Sequence, residues 1–262
     1  MFSRVERFAR VASTNDVVRG WLADGLPEVA IASADEQTAG RGRAGRTWTA
    51  PAGTSLLLSA GFRPTYLEPD TTWLLGAIVA VAMAEAAEAA AGLPHQAVRL
   101  KWPNDLVLEM ADGYRKLGGV LGETTGLGTD DVRTVVGIGM NVDWEPHDVP
   151  SELAATMTSL GAAAGSAVTV ERLGEAFLER LADATVHLRG GAFGVAAWTE
   201  RQLTTGRAVI LEMPGGRRRE ALAEGVDPHS GALLISSPTT GAPPQPVHAA
   251  EVVHVRLAGP SV

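Results

Sequence analysis

The chain contains no cysteine. That excludes disulfides, thiolate nucleophiles and zinc–thiolate centres. It has no basic excess: the net charge is −8, which argues against a general nucleic-acid binder, although basic residues can still cluster locally. The opening stretch, MFSRVERFARVASTND, lacks the long apolar run of a signal peptide, so the expected location is the cytoplasm. The most apolar run, Trp73 to Ala91, is rich in alanine and broken by Glu85 and Glu88 at helical spacing. It reads as a core helix, and no membrane association is expected.

Lysine and asparagine are scarce. Of 22 basic residues only Lys101 and Lys116 are lysine, and only Asn15, Asn104 and Asn141 are asparagine. A genome favouring arginine codons accounts for the scarcity but not for where the survivors stand. Where the background drifts to arginine, a retained lysine points to a task for a compact ammonium rather than a planar guanidinium.

What is present is an ordinary globular composition over 262 residues, 45% hydrophobic and 20% charged. Ser13-Thr14-Asn15-Asp16 offers N-cap residues for a helix ending near Gly25. Glu28 to Ala34 and Thr54 to Phe62 read as strands, and Asp70 to Ala91 as a long helix closed by Gly92 and Pro94. From Val98 to Val142 the pattern is β, with Asp112-Gly113 as a hairpin signal. Two helices are expected next, Ser151 to Ala164 and Val170 to about Leu188. From about Leu203 short β runs alternate with Gly and Pro turns, which reads as a barrel-like module of about sixty residues. A loop is expected from Pro238 to Pro246. The fold class is α+β: a mixed or antiparallel sheet flanked by helices (1–200), then a small C-terminal β-barrel (201–262).

The loudest signal is Gly40-Arg41-Gly42-Arg43-Ala44-Gly45-Arg46-Thr47-Trp48. It matches G-x-G-x-x-G literally, but no strand-to-helix turn follows, so a dinucleotide fingerprint is excluded by context. Kinase signatures and a Walker A sequence are absent as well. Glycine lets backbone amides approach a ligand, and arginine offers planar charged donors for phosphate and carboxylate oxygens. Three arginines close together repel one another unless an anion joins them, so the loop reads as an anion site rather than as a plain solvated loop.

Three further clusters follow. Lys101-Trp102-Pro103-Asn104-Asp105 packs polar groups around a proline bend, where a polar hairpin turn is a fair competing account. Arg115-Lys116-Leu117-Gly118-Gly119-Val120-Leu121-Gly122-Glu123 and Gly137-Ile138-Gly139-Met140-Asn141-Val142-Asp143-Trp144 are glycine-marked strands. Such glycines mark either a ligand at close range or close sheet packing.

In this order, STND, GRGRAGRTWTAP, KWPND, RKLGGVLGE and GIGMNVDW resemble the biotin–protein ligase (biotin–[acetyl-CoA-carboxylase] ligase) family, from about Ser13 to the end of the chain. The resemblance implies a class II synthetase-like catalytic domain with an SH3-like C-terminal barrel. It implies activation of biotin by ATP with Mg²⁺ and transfer of biotin to a lysine of the carrier domain of acetyl- or acyl-CoA carboxylase. It is of the monofunctional type, since only twelve residues precede Ser13, and no DNA binding is expected. A monomer or weak homodimer is expected. Ser13, Thr14 and Asn15 would border the biotin pocket, and Gln37 would bind the ureido ring. Gly40, Arg41, Gly42 and Arg43 would cover biotin and the phosphate. Arg43, Arg46 and Trp48 would hold ATP or the adenylate, and Lys101, Asn104 and Asn141 the nucleotide side. Gly118, Gly119 and Gly139 would line the site, and Asp105 would help position the acceptor lysine or the metal. Lys116, with Arg43 and Arg46, would act on the reacting groups, while metal ligands stay unassigned. A lipoate- or octanoate-transferring relative and a non-catalytic biotin sensor are the alternatives.

Overall fold

The computed structural model describes residues 2–145, 147–148, 153–237 and 242–257. A seven-stranded sheet has the order β1 (Arg4–Val11), β2 (Ala30–Gln37), β3 (Ser55–Phe62), β7 (Arg133–Asn141), β6 (Gly113–Thr125), β5 (Asp105–Met110), β4 (Val98–Lys101). β1 and β2 run parallel and every other neighbour pair is antiparallel, so the sheet is mixed.

Strand alternation explains its two covered faces. Val135 joins Val18, Leu22 and Ala32 beneath α1 (Thr14–Ala23), whereas Val136 joins the main core on the opposite face. That core is built on α2 (Leu74–Ala91), which packs against α4 (Val170–Arg189) and is buried almost all round. Alanine makes this possible, because small side chains bring the helix close to the sheet. The only apolar stretch long enough to span a membrane among the described residues is this one, and 72% of it is buried in the fold. Its C-terminus stops at Gly92 in the left-handed conformation, φ 64°.

The sequence misplaces three features. β1 carries charges at four of its eight positions and lies at the sheet edge, so its apolar residues give no clean period. The expected helix over 151–164 is only α3 (Leu160–Ala164); 153–156 form turns and 151–152 lie outside the described residues. The expected 238–246 loop contains a strand from Gln245, while 238–241 lie outside the described residues. A short α5 (Ala196–Glu200) precedes the C-terminal unit.

The C-terminal unit is a five-stranded antiparallel sheet of order β11 (Gln245–Val247), β10 (Leu233–Ser236), β9 (Arg218–Val226), β8 (Arg207–Glu212), β12 (His254–Leu257), consistent with an SH3-like domain. Its join to the main sheet is buried. Arg201 is 1% exposed and donates to Glu88 on α2 at 2.6 and 3.1 Å and to the Val98 carbonyl at 3.0 Å. The amides of Leu100 and Leu203 bond the carbonyls of Arg201 and Leu100. Trp73 and Trp102 donate their ring N–H groups to the carbonyls of His229 and Gly231. One hydrophobic core runs through both sheets.

Candidate active site

A cavity opens between the α1 face of the main sheet, the arginine–glycine loop and β12. Its wall includes Ser13, Thr14, Asn15, Gln37, Arg41, Gly42, Arg43, Arg46 and Trp48 from the N-terminal half. Lys101, Asn104, Asp105, Lys116, Gly119 and Gly139 come from the strands. Of the residues singled out in the sequence, only Gly40, Gly118 and Asn141 are not brought to this wall. Gly40 shapes the loop: a Cβ there would lie 2.4 Å from the Trp48 carbonyl oxygen. Gly118 packs on β7, where a Cβ would meet the Gly139 carbonyl at 2.5 Å. Asn141 is fully buried, its amide donating to the Thr158 carbonyl at 3.0 Å and its oxygen without a partner among the described residues.

One end of the cavity is a buried polar relay. Ser13 caps α1 in an extended conformation and turns Thr14 and Asn15 inward. The Thr14 amide and hydroxyl donate to Gln37 Oε1 at 2.8 and 3.0 Å, which orients the rest of the Gln37 amide. The Ser59 hydroxyl donates to Asn15 Oδ1 at 2.6 Å, and the Asn15 amide donates to Glu123 at 2.6 Å. Glycines give these groups room. Gly137 and Gly139, two residues apart, present the same face of β7: a Cβ on Gly137 would meet Asn15 Oδ1 at 2.3 Å, and one on Gly139 the Trp48 ring at 2.5 Å.

The other end is cationic. The turn from β4 to β5 is tied to β6 by Asn104, whose amide donates to the Val120 carbonyl at 3.0 Å. This holds Asp105 between two ammonium groups, Lys116 Nζ at 2.6 Å and Lys101 Nζ at 3.4 Å. Lys101 is 2% exposed and Lys116 28%, so Lys116 is the one that faces a ligand. Burial pulls the Lys101 ammonium below its ordinary pKa, with Asp105 opposing. Burial pushes the Asp105 carboxyl up, but Lys116 and Lys101 outweigh it and hold it below its ordinary value. Lys116 Nζ also stands 5.5 Å from the Trp48 ring, whose buried N–H has no partner among the described residues.

The loop arginines divide in two. Arg41 is neutralised by Asp16 at 2.8 Å and Glu123 at 3.3 Å. Their repulsion with neighbours is therefore relieved in part by the protein's own carboxylates, not only by a ligand as the sequence suggested. The Arg41 hydrogen bond, helped by Arg19, lowers Asp16 to about 2. Arg43 donates to the carbonyls of Ala249 and Val252 at 2.6 and 3.0 Å, and Arg46 to that of Val253 at 3.0 Å. The loop is thus pinned to the C-terminal unit.

Sequence reasoning missed Asp16, Ser59, Glu123 and His254. Single charged or hydroxyl residues on elements look like solvated positions, and only the fold brings them together. Asp16 and Glu123 stood inside recognised motifs, which was the available hint. The cavity measures about 120 Å³, below the roughly 300 Å³ of an ordinary small-molecule site. Trp48 and the loop border it and are the parts whose movement would enlarge it.

The family model described as Biotin/lipoate A/B protein ligase family matches residues 7–141. The biotin--[acetyl-CoA-carboxylase] ligase of Mycobacterium tuberculosis is 31% identical over 97% of this chain and 86% of its own length. That of Paracoccus denitrificans is 35% identical over 93% of this chain and 98% of its own. The structure of a biotin protein ligase from Aquifex aeolicus in complex with biotin and ATP superposes with a TM-score of 0.78, at 24% identity, over 98% of this chain and 100% of that one; at that identity the likeness shows the fold. With the family model spanning the relay, the loop and both lysines, and with relatives matching nearly end to end, the chain belongs to the biotin/lipoate A/B protein ligase family.

Proposed function

We propose that the chain is a biotin–protein ligase that makes biotinyl-AMP from biotin and MgATP and then biotinylates one lysine of a carboxylase carrier domain. The observation that carries this reading is the junction of two unlike ends in one cavity. A neutral relay of Thr14, Asn15 and Gln37 suits a cyclic urea, and a cluster of Arg43, Arg46, Lys101 and Lys116 around Asp105 suits phosphate. The names of the relatives favour biotin over lipoate or octanoate.

In the first step a biotin carboxylate oxygen attacks the α-phosphorus of ATP and pyrophosphate leaves with the electrons of the broken P–O bond. Both reactants are anions, so positive charge between them is required. Lys116, the more exposed of the two ammoniums, bridges carboxylate and α-phosphate, while Lys101 stays buried and holds Asp105 in place. In the second step a neutral lysine amine of the carrier attacks the biotin carbonyl, AMP leaves and the amine loses a proton. Neither step needs an enzyme nucleophile. The loop shields the mixed anhydride from water. No group of three or more acidic, His or Cys side chains that could hold a metal occurs among the described residues. Magnesium enters with the nucleotide as MgATP, where it lowers the charge of the phosphates.

The test is incubation with biotin and MgATP, first alone with pyrophosphate release as the readout, then with an acyl-CoA carboxylase carrier domain and a streptavidin blot. Release of pyrophosphate and a labelled carrier are expected. Activation of lipoate or octanoate but not biotin would reassign the substrate, and binding of biotin without pyrophosphate release would make the chain a sensor.

A further inference from the structure

His254 begins β12 and lies in the cavity wall beside Arg46 and Lys101, although it stands more than two hundred residues from the loop in sequence. Its placement is fixed from both sides. The carbonyl before it, Val253, accepts from Arg46, and the residue after it, Val255, is fully buried in the C-terminal core. Alternation along the strand then leaves the His254 ring facing the cavity. The ring is half-buried, and no hydrogen bond from a described residue engages it.

Its surroundings are unbalanced. Among the described residues, Arg43, Arg46, Lys101 and Lys116 line the cavity with Asp105 as the one carboxylate among them, leaving an excess of three positive charges. Arg41 adds none, being paired with Asp16 and Glu123. Around the ring itself stand Lys101 and Asp105 from the β4–β5 turn, Arg46 from the loop, Glu212 opposite on β8 and Arg256 on its own strand. Tyr114 on β6 lies beyond Lys101.

We propose that His254 binds the phosphates of the nucleotide and takes up a proton as they enter, so that nucleotide binding is coupled to protonation of the C-terminal unit. The proposal rests on the nucleotide reading of the cavity given above. In the free protein burial, then Lys101 and Arg46, push the imidazole down to about 4, so it is neutral at pH 7. An anion placed among the same cations reverses their effect and favours imidazolium. The protonated ring then gives the phosphate one more charged N–H donor. Because the bound state holds more protons than the free state, affinity rises as pH falls.

The experiment is calorimetric titration of the whole chain with MgATP at pH 6.5, without biotin, in two buffers of different ionisation heat. The wild type, His254→Gln and His95→Gln are compared; His95 is 79% exposed, stands 3.9 Å from Glu88 and is not part of the cavity wall. Protons belonging to the nucleotide cancel in the comparison. The wild type and His95→Gln should take up a measurable extra fraction of a proton relative to His254→Gln, and adenosine should produce none. Equal uptake in wild type and His254→Gln, or uptake with adenosine, would overturn the proposal. In case His254→Gln does not fold, histidine-selective NMR of the wild type gives the same answer. One of the six imidazoles should titrate at higher pH once MgATP is added, and no change in any would overturn the proposal. Absence of MgATP binding in the wild type would overturn the nucleotide reading itself.

Discussion

Lys116 and Lys101 share one carboxylate but not one role. Lys116 keeps a path to the cavity, while Lys101 has lost nearly all contact with solvent. Replacing Lys116 with Ala should slow biotinyl-AMP formation by about a hundredfold or more, the usual loss for a preorganised charge facing developing negative charge. Lys116→Arg should recover little, since Asp105 at 2.6 Å leaves a point charge room that a planar fork lacks. Pre-steady-state pyrophosphate release measures both, and wild-type rates in either variant would move the role elsewhere. Asp16 offers a second check. Its folded pKa of about 2 lies below the ordinary value near 4. The Arg41 clamp therefore stabilises the fold above about pH 4, and that contribution fades as pH falls toward 2. In Arg41→Ala the Asp16 carboxyl should titrate closer to its ordinary midpoint by ¹³C NMR; an unchanged midpoint would mean Arg19 alone sets it. Lysine scarcity and motif order made Lys101, Lys116 and Asp105 legible in sequence. The proximity of Asp16 to Arg41, or of His254 to Arg46, was not, because neither is local and neither residue breaks a pattern.

Among the elements, the arginine–glycine loop departs most from its sequence expectation. Four glycines between 40 and 53 suggest a segment reluctant to order without ligand. Yet Arg43 and Arg46 bond three carbonyls of the C-terminal unit, and Arg41 bonds two carboxylates. These contacts offset part of the entropy. Trypsin, which cuts after these arginines, should act slowly on the free protein and faster on Arg43→Met at Arg41 and Arg46. Equal rates would show that the carbonyl contacts do not restrain the loop. The exchange on ligand binding also has an order. Neutral carbonyls compete with phosphate less well than carboxylates do, so Arg43 and Arg46 should be handed over before Arg41. The strands and the long helices were readable because alternation and alanine-rich burial are local signals. β1 escaped notice because an edge strand needs no apolar face, and α3 was overextended because turns at 153–156 and the backbone pairing of Thr156 and Thr158 with Lys116 override the helical composition there.

At the scale of the molecule, the contact between Glu88 and Arg201 joins the two sheets. Both side chains are almost wholly buried. Arg201→Met would leave Glu88 charged, buried and short of partners, a loss of about 3–5 kcal/mol. The double variant with Glu88→Met should regain part of it, though not all, because Glu88 also accepts from the Val98 amide at 3.0 Å. Calorimetric melting measures these differences. It should show one transition for both sheets in the wild type, given their common core; two well-separated transitions would contradict a single cooperative unit. The division near residue 200 was visible as a change of texture along the chain. The sequence did not reveal that the division is a seam in composition and not a gap in packing, since that depends on a pair more than a hundred residues apart.

That tie also limits how the molecule can breathe. Pulling the segment at Arg201 away from α2 and β4 would drag a guanidinium out of its carboxylate into apolar surroundings, so the join resists opening there. Access to the cavity then depends on the loop and Trp48, which border it. They form a surface flap hung on a fixed frame, held down by the bonds of Arg43 and Arg46 to the C-terminal carbonyls.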